Sequence, residues 1–261
     1  VLGLAAILAL TAAVAAASSS AAPRSAAAGT LAFCSDITYP PEEFYQGTKA
    51  VGSDIDIGTE IARRLGLKAK FQNTGFDGII AALLAKRCDA VISGMNDTPA
   101  RRKQVAFVDY LSVGQSLMVK KGNPKHISNV ASLAGRSVSV EVGTTNKDFL
   151  DQQSKLLKAK GKPGIKVVTF PKDTDAAAAL KTGRVDAYFG DSPVVAYYIK
   201  KDPSFAFGGA PVNPIPVGIA IRKSDALLAK VQKAVSAMYA DGTMKKILHG
   251  WQMDAFALKG K

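Results

Sequence analysis

DIDIGTEIARRLGLKAKFQNTGFDGIIAALLAKRCDAVISGM, residues 54–95, decides the fold class. In DIDIGTEIARRLG (54–66), Ile57, Ile61 and Leu65 recur at i, i+4 and i+8, the apolar stripe of a helix laid on a sheet. Asp54 suits the N-cap of that helix and Gly66 its stop. AKFQN (69–73) reads as a strand, FDGIIAALLAKR (76–87) as a second helix and DAVISGM (89–95) as another strand. Strands separated by helices imply parallel pairing through right-handed crossovers. Upstream, LAFCSD (31–36) adds one more strand.

Downstream the pattern restarts. GQSLMVK (114–120) is extended, SNVASLAG (128–135) is a short capped helix, and SVSVEVG (137–143) is a strand leading into the long helix TTNKDFLDQQSKLLKAK (144–160). IKVVTF, DTDAAAALKTG, VDAYFGD and SPVVAYYIKK continue as strand, helix, strand, helix; PVGIAIRK and two final helices close the chain. Two α/β units of similar size are therefore expected, with a cleft between them. Ligands of open α/β sheets bind beyond the carboxyl ends of the strands. That rule singles out Asp36–Glu43, Phe76, Ser93–Arg101 (with Gly94, Met95 and Asn96), Glu141, Gly143–Asn146 (with Thr144 and Thr145) and Asp191.

Composition narrows the chemistry. The 261 residues include 34 Lys and Arg against 21 Asp and Glu, two His and two Cys. His126 and His249 lack metal-ligand spacing, and two Cys cannot build a four-thiolate site, so no metal and no cofactor is expected. The net charge of +13 is scattered, without basic–aromatic repeats, which argues against a nucleic-acid partner. The uncharged run VLGLAAILALTAAVAAA (1–17), followed by small residues, reads as part of a secretory signal ending near residue 28. An exported chain, periplasmic or extracellular, is the expectation. Nucleophile-elbow, Walker and G-x-G-x-x-G patterns are missing, so nothing in the motifs supports catalysis.

The strand-end residues carry complementary chemistry. Arg101 offers a planar fork for a carboxylate. GTTN (143–146) opens a helix, and its free backbone N–H groups can receive an anion, although plain capping by Thr144 or Thr145 explains the same pattern. Asp191 can hold an ammonium or serve only as an N-cap. Tyr39 and Phe76 can sandwich an apolar stem or belong to the core. Taken together, a carboxylate binder, an ammonium binder and two aromatic plates fit an α-amino acid.

At these residues the chain resembles the bacterial extracellular solute-binding proteins of family 3, the amino-acid receptors of ABC importers. SDITYPPEEF, VGSDIDIGTEIARRLG, FDGIIAALLAKRCDAVISGMNDTPARRKQVAF, VEVGTTNKDFL, LKTGRVDAYFGDSPVVAYYI and ADGTMKKIL carry the resemblance, in the family's order. It implies a two-lobed type II periplasmic-binding fold, with lobe 1 over 30–113 plus 216–261, lobe 2 over 117–212 and hinges near 113–116 and 211–216. It also implies that Arg101, with backbone groups near Gly94 and Thr145, grips the ligand carboxylate, while Asp191 holds the ammonium. Tyr39 and Phe76 would flank the side chain and Asp36 would reach its polar end. The implied partners are an amino acid and a membrane permease, with the receptor acting as a monomer. Three residues depart from the family pattern: Asn96 replaces a Ser or Thr, Asp97 an apolar residue, and Glu42 a common Phe.

If Arg101 and Asp191 answer the ligand's α-groups, then Asp36, Glu42 or Glu43, and Glu141 remain. Buried unpaired acids are costly, so a cationic side chain would balance them, provided Glu42 and Glu43 are not exposed. Two rivals share the fold: an exported dehydratase of the prephenate or arogenate type, using Glu141 or Glu43 as acid, and a sensory domain of a kinase or channel. Whether Cys34 and Cys88 pair stays open. Export permits a bridge, but one cysteine lies near a strand end and the other near a strand start.

Overall fold

The computed structural model describes residues 29–259; the signal reading, at 1–28, lies outside them. The strands are β1 (Thr30–Ser35), β2 (Thr38–Tyr39), β3 (Glu43–Gln46), β4 (Lys49–Val51), β5 (Lys68–Asn73), β6 (Ala90–Val91), β7 (Ala106–Lys120), β8 (Ser137–Glu141), β9 (Lys166–Phe170), β10 (Ala187–Asp191), β11 (Phe205–Phe207) and β12 (Val212–Ile221). The helices are α1 (Ser53–Arg64), α2 (Ile79–Leu84), α3 (Pro99–Arg102), α4 (Thr145–Ala159), α5 (Asp173–Lys181), α6 (Ser192–Lys201), α7 (Leu227–Ala240) and α8 (Thr243–Gly250).

Helix α1 forms as its periodicity predicts: Ile57 and Ile61 are fully buried, and the chain turns away at Gly66 with φ of 70°. Gly58 on the same face brings the helix close to the sheet, since a Cβ there would stand 3.0 Å from the Phe71 ring. Asp54 is not the N-cap. Gly52 takes that position, and Asp54 lies in the first turn with its side chain turned into the protein.

The main sheet runs β5-β1-β6-β12-β7-β10-β8-β9, with β11 beside β7. β1 pairs in parallel with β5 and β6, and β8 in parallel with β9 and β10, so each half is a parallel α/β unit as expected. The 15-residue strand β7 passes through both halves. It pairs with β12 from Ala106 to Gln115 and with β10 from Gln115 to Met118. The fold is thus two-lobed, with β7 and β12 as the connecting strands. Separate cores cover the two halves: Phe33, Ile57, Ile61, Tyr110 and Ile219 anchor one, and Leu133, Val138, Val140, Leu150 and Phe189 anchor the other.

Two details differ from the sequence reading. The expected strand 89–95 pairs only at Ala90–Val91, and the following residues peel off as the loop that builds the site. TYPPEEFYQG, to which the sequence reading assigned no element, folds into the antiparallel β2-β3-β4 sheet. Cys34 and Cys88 are bridged, with Cα atoms 5.7 Å apart. Cys34 lies level with Val91, and the left-handed turn at Lys86 brings Cys88 back underneath it.

Candidate functional site

Every strand that ends at the cleft contributes a side chain. The chain after β1 supplies Asp36 and Tyr39, that after β5 supplies Phe76, and that after β6 supplies Gly94 and Asn96. From the second half come Glu141 at the end of β8, Thr144 and Asn146 at the start of α4, and Asp191 at the end of β10. These residues line a narrow cavity of about 10 Å³. Among the described residues, three carboxylates and no cation line it.

Asp36 is buried and held in place: its Oδ1 accepts the Thr38 hydroxyl at 2.7 Å and its Oδ2 accepts the Phe76 N–H at 2.8 Å. Glu141 approaches it from the other half, close enough for the two carboxyl groups to hydrogen-bond. Burial, reinforced by Asp173 and Asp36, pushes the Glu141 carboxyl well above the usual range, and burial also raises Asp36. Two facing carboxyl groups in a low-dielectric site cannot both ionise cheaply. Glu141 therefore carries the proton and Asp36 the charge.

Asp191 accepts the Asn146 amide at 3.1 Å, and its own N–H reaches the Tyr39 hydroxyl at 3.3 Å. Burial raises its pKa to about 6, against the pull of the Asn146, Tyr39 and Asn96 hydrogen bonds and of the Arg101 charge. Behind Asp191, Asp173 accepts the hydroxyls of Tyr188 and Tyr198, and burial lifts it to about 7.

Arg101 stands at the rim on α3, whose N-cap Thr98 accepts the Arg101 N–H. Its guanidinium spans the cleft, donating to the Asn96 carbonyl at 2.8 Å and to the Gly143 carbonyl of the other half at 3.1 Å. It also lies 5.2 Å over the Phe76 ring. A second strut joins the halves where the Thr145 hydroxyl donates to Asn96 Oδ1 at 2.5 Å. Among the described residues one acceptor here lacks a partner, Asn146 Oδ1, while the Asn96 amide leans on Asp191.

Of the residues singled out by sequence, Asp36, Tyr39, Phe76, Gly94, Asn96, Glu141, Thr144, Asn146 and Asp191 line the cavity, while Arg101 and Thr145 bind its wall from the rim. Met95 does not face it; its side chain is buried with Cys34, Ile79 and Leu83. Ser93 and Glu43 sit behind the wall, joined by a 2.8 Å hydrogen bond. Glu42 and Glu43 are 2% and 0% exposed, which meets the condition set on the charge argument, although neither opens on the cavity. The acids that do so are Asp36, Glu141 and Asp191. Sequence reasoning missed Asp54 and Asp173, each of which reads locally as the start of a helix.

The sequence pattern of the bacterial extracellular solute-binding proteins, family 3, matches residues 31–254. The chain is 34% identical over 235 residues to the ABC transporter arginine-binding protein 1 of Escherichia coli K12, covering 87% of this chain and 92% of that one. Among solved structures, an ancestral arginine-binding protein bound to arginine superposes with a TM-score of 0.78 at 39% identity, over 87% of this chain and 99% of that one. An ancestral amino acid-binding protein that is a precursor of cyclohexadienyl dehydratase matches with a TM-score of 0.75 at 36% identity, over 85% and 95%.

Proposed function

The chain belongs to the bacterial extracellular solute-binding proteins, family 3, and from that premise we propose that it captures a cationic α-amino acid between its lobes. It would act outside the cytoplasm, as a monomer, and hand the ligand to the permease of an ABC importer. The contact between Asp36 and Glu141 carries this reading: one acid from each lobe meets across a cavity that no cation among the described residues lines. An ammonium or guanidinium placed between them replaces the shared proton and lets both carboxyl groups ionise. A neutral side chain leaves the proton in place and gains nothing from the second acid.

The α-groups go to the opposite end. Asp191, already partly ionised near neutral pH, takes the ammonium beside Asn146 Oδ1, an acceptor still free. Arg101 takes the carboxylate with donors left over from its two carbonyl contacts, helped by the N-terminus of α4. Tyr39 and Phe76 flank the stem. Arginine named for the two similar proteins agrees with this chemistry.

Capture follows from the division of these groups. Lobe 1 (30–113 plus 216–261) holds Asp36, the aromatic residues and Arg101, and lobe 2 (117–212) holds Glu141, Asn146 and Asp191. The two connecting strands hinge near 113–116 and 211–216, where β12 is irregular between Val212 and Ile215. A ligand shifts the open–closed balance only through contacts made better in the closed form. The ammonium is held by lobe 2, but the carboxylate and the cationic end touch both lobes only when they are closed.

One observation favours a second reading. Glu141 is a protonated acid on the cavity wall, the state a general acid needs to deliver a proton to a departing hydroxyl, and the dehydratase precursor shares this fold. Binding is preferred because Asp36 holds that proton in a pair. A thermal-shift screen against the common L-amino acids, ornithine and prephenate tests both. A ligand at about 100 times its Kd adds about 2.7 kcal/mol, or several degrees for a chain of this size. Shifts with arginine, lysine or ornithine but not glutamine are expected. Prephenate turnover, or a shift confined to neutral amino acids, would overturn the proposal.

A further inference from the structure

Behind the cavity wall lies a second pair of acids that ligand capture does not use directly. Glu43, on β3, and Asp54, on α1, are both fully buried and their carboxyl groups hydrogen-bond to one another. The outer oxygens hold the binding loop. Glu43 Oε1 accepts the Ser93 hydroxyl at 2.8 Å, and Ser93 Oγ in turn accepts the Asp36 N–H at 2.8 Å. Asp54 Oδ2 accepts the Gly94 N–H at 2.9 Å and the Tyr110 hydroxyl at 2.7 Å. The other two oxygens, Glu43 Oε2 and Asp54 Oδ1, receive no donor from any N–H or hydroxyl among the described residues.

We propose that a single proton, shared between Glu43 and Asp54, joins these two oxygens, and that the resulting pair positions Ser93, Gly94 and the Asp36 backbone at the cavity floor. One proton satisfies both orphaned atoms, whereas two ionised carboxylates in contact in the core would repel. Glu43 carries the proton, because Asp54 already accepts two donors that stabilise its charge. The acids nearest the pair add like charge: Glu42, on the same turn, raises Glu43 and itself feels Asp54, Asp191 and Asp173, which disfavours ionising Glu43, while Tyr110 from β7 is a neutral donor to Asp54. Gly94 cannot adapt if the pair is lost, since its φ is 49° and the Tyr39 ring packs against it.

The inference rests on the proposed capture site only for its effect on affinity; the proton itself is tested without ligand. E43Q places an amide donor opposite Asp54 and keeps an acceptor for Ser93, so it should fold. In the infrared spectrum of the ligand-free protein at neutral pH, E43Q should lose one protonated-carboxyl band. Its melting midpoint should also fall less than that of the parent as pH rises above the ordinary carboxyl range, because the parent alone keeps a proton there that its unfolded chain has lost. D54N, which gives the donor to the other partner, should shift that band because the Glu43 proton loses its charged acceptor, burial still favouring the protonated form. Where ligand binds, E43Q should keep affinity within about twofold, and E43A should weaken it about tenfold by stranding Ser93 and Asp54. A carboxyl band unchanged in both E43Q and D54N would overturn the shared proton. E43A binding as well as the parent would overturn the positioning role. If every amino acid fails to bind the parent while the band behaves as expected, the capture reading falls and the pair stands.

Discussion

Acidification should weaken ligand capture in a way that counts protons. Asp191 titrates at about 6 in the ligand-free protein because burial outweighs its hydrogen bonds and the Arg101 charge. A ligand ammonium needs the ionised form, so apparent affinity scales with the ionised fraction, falling from nearly all at about pH 7.5 to about one part in eleven at about pH 5. That makes binding about tenfold weaker at the lower pH from Asp191 alone. Glu141 adds a second, ligand-dependent term. A cationic side chain must displace its proton wherever burial still keeps Glu141 protonated, which extends well above the usual carboxyl range. Titration calorimetry in two buffers of different ionisation enthalpy separates the terms. Near pH 6 any amino acid that binds should release about half a proton through Asp191, and at about pH 7.5 arginine should still release a proton while a neutral amino acid releases almost none. D191N should abolish the first term and leave the second. Affinity for arginine that stays flat from pH 5 to 8, with no buffer-dependent heat, would refute the assignment of both acids.

Other perturbations address single links. Without ligand the stability of the protein should fall as pH rises. Asp191 and Asp173 titrate at about 6 and 7, above their unfolded values, so their stabilisation is complete only below about pH 4 and is lost through those folded values; a series of melting curves from pH 4 to 8 reads it. R101K should reduce affinity at least tenfold with little change in melting temperature, because a point charge cannot replace a fork that spans both lobes. D36N should cost arginine about tenfold or more and glutamine much less, so competition between the two ligands measures the loss of charge preference. Reducing the Cys34–Cys88 bridge, or replacing it as C34S/C88S, opens a loop of 54 residues and should cost about 2–4 kcal/mol in chemical denaturation without changing ligand preference.

The parts of this molecule legible in sequence are those set by short-range pattern. Ile57, Ile61 and Leu65 announce a helix on a sheet, glycines mark its end, and the rule that ligands sit beyond the carboxyl ends of strands points to Asp36, Phe76, Asn96, Glu141 and Asp191. What stayed hidden depends on contacts between distant residues. Asp54 looks like an N-cap from its neighbours alone. It becomes an interior acid only because Gly94 and Tyr110, 40 and 56 residues away, donate to it. Asp173 likewise opens α5 in sequence yet is committed to two tyrosine hydroxyls. Met95 shares its loop with Gly94 and Asn96 but turns the opposite way, into the core beside the disulfide. The charge argument shows the same limit. Counting acids near strand ends anticipates a surplus, but not that it divides into a pair facing the ligand, Asp36 and Glu141, and a pair facing the loop, Glu43 and Asp54. That division has a consequence for specificity. If, as proposed, only the first pair gives up its proton to a cation, changes at Asp36 or Glu141 should alter which amino acid binds, whereas changes at Glu43 or Asp54 should alter how tightly every ligand binds. Measuring arginine and glutamine affinities for D36N and E43A side by side separates the two. A change in the arginine-to-glutamine ratio in E43A as large as in D36N would mean that the two pairs are one network.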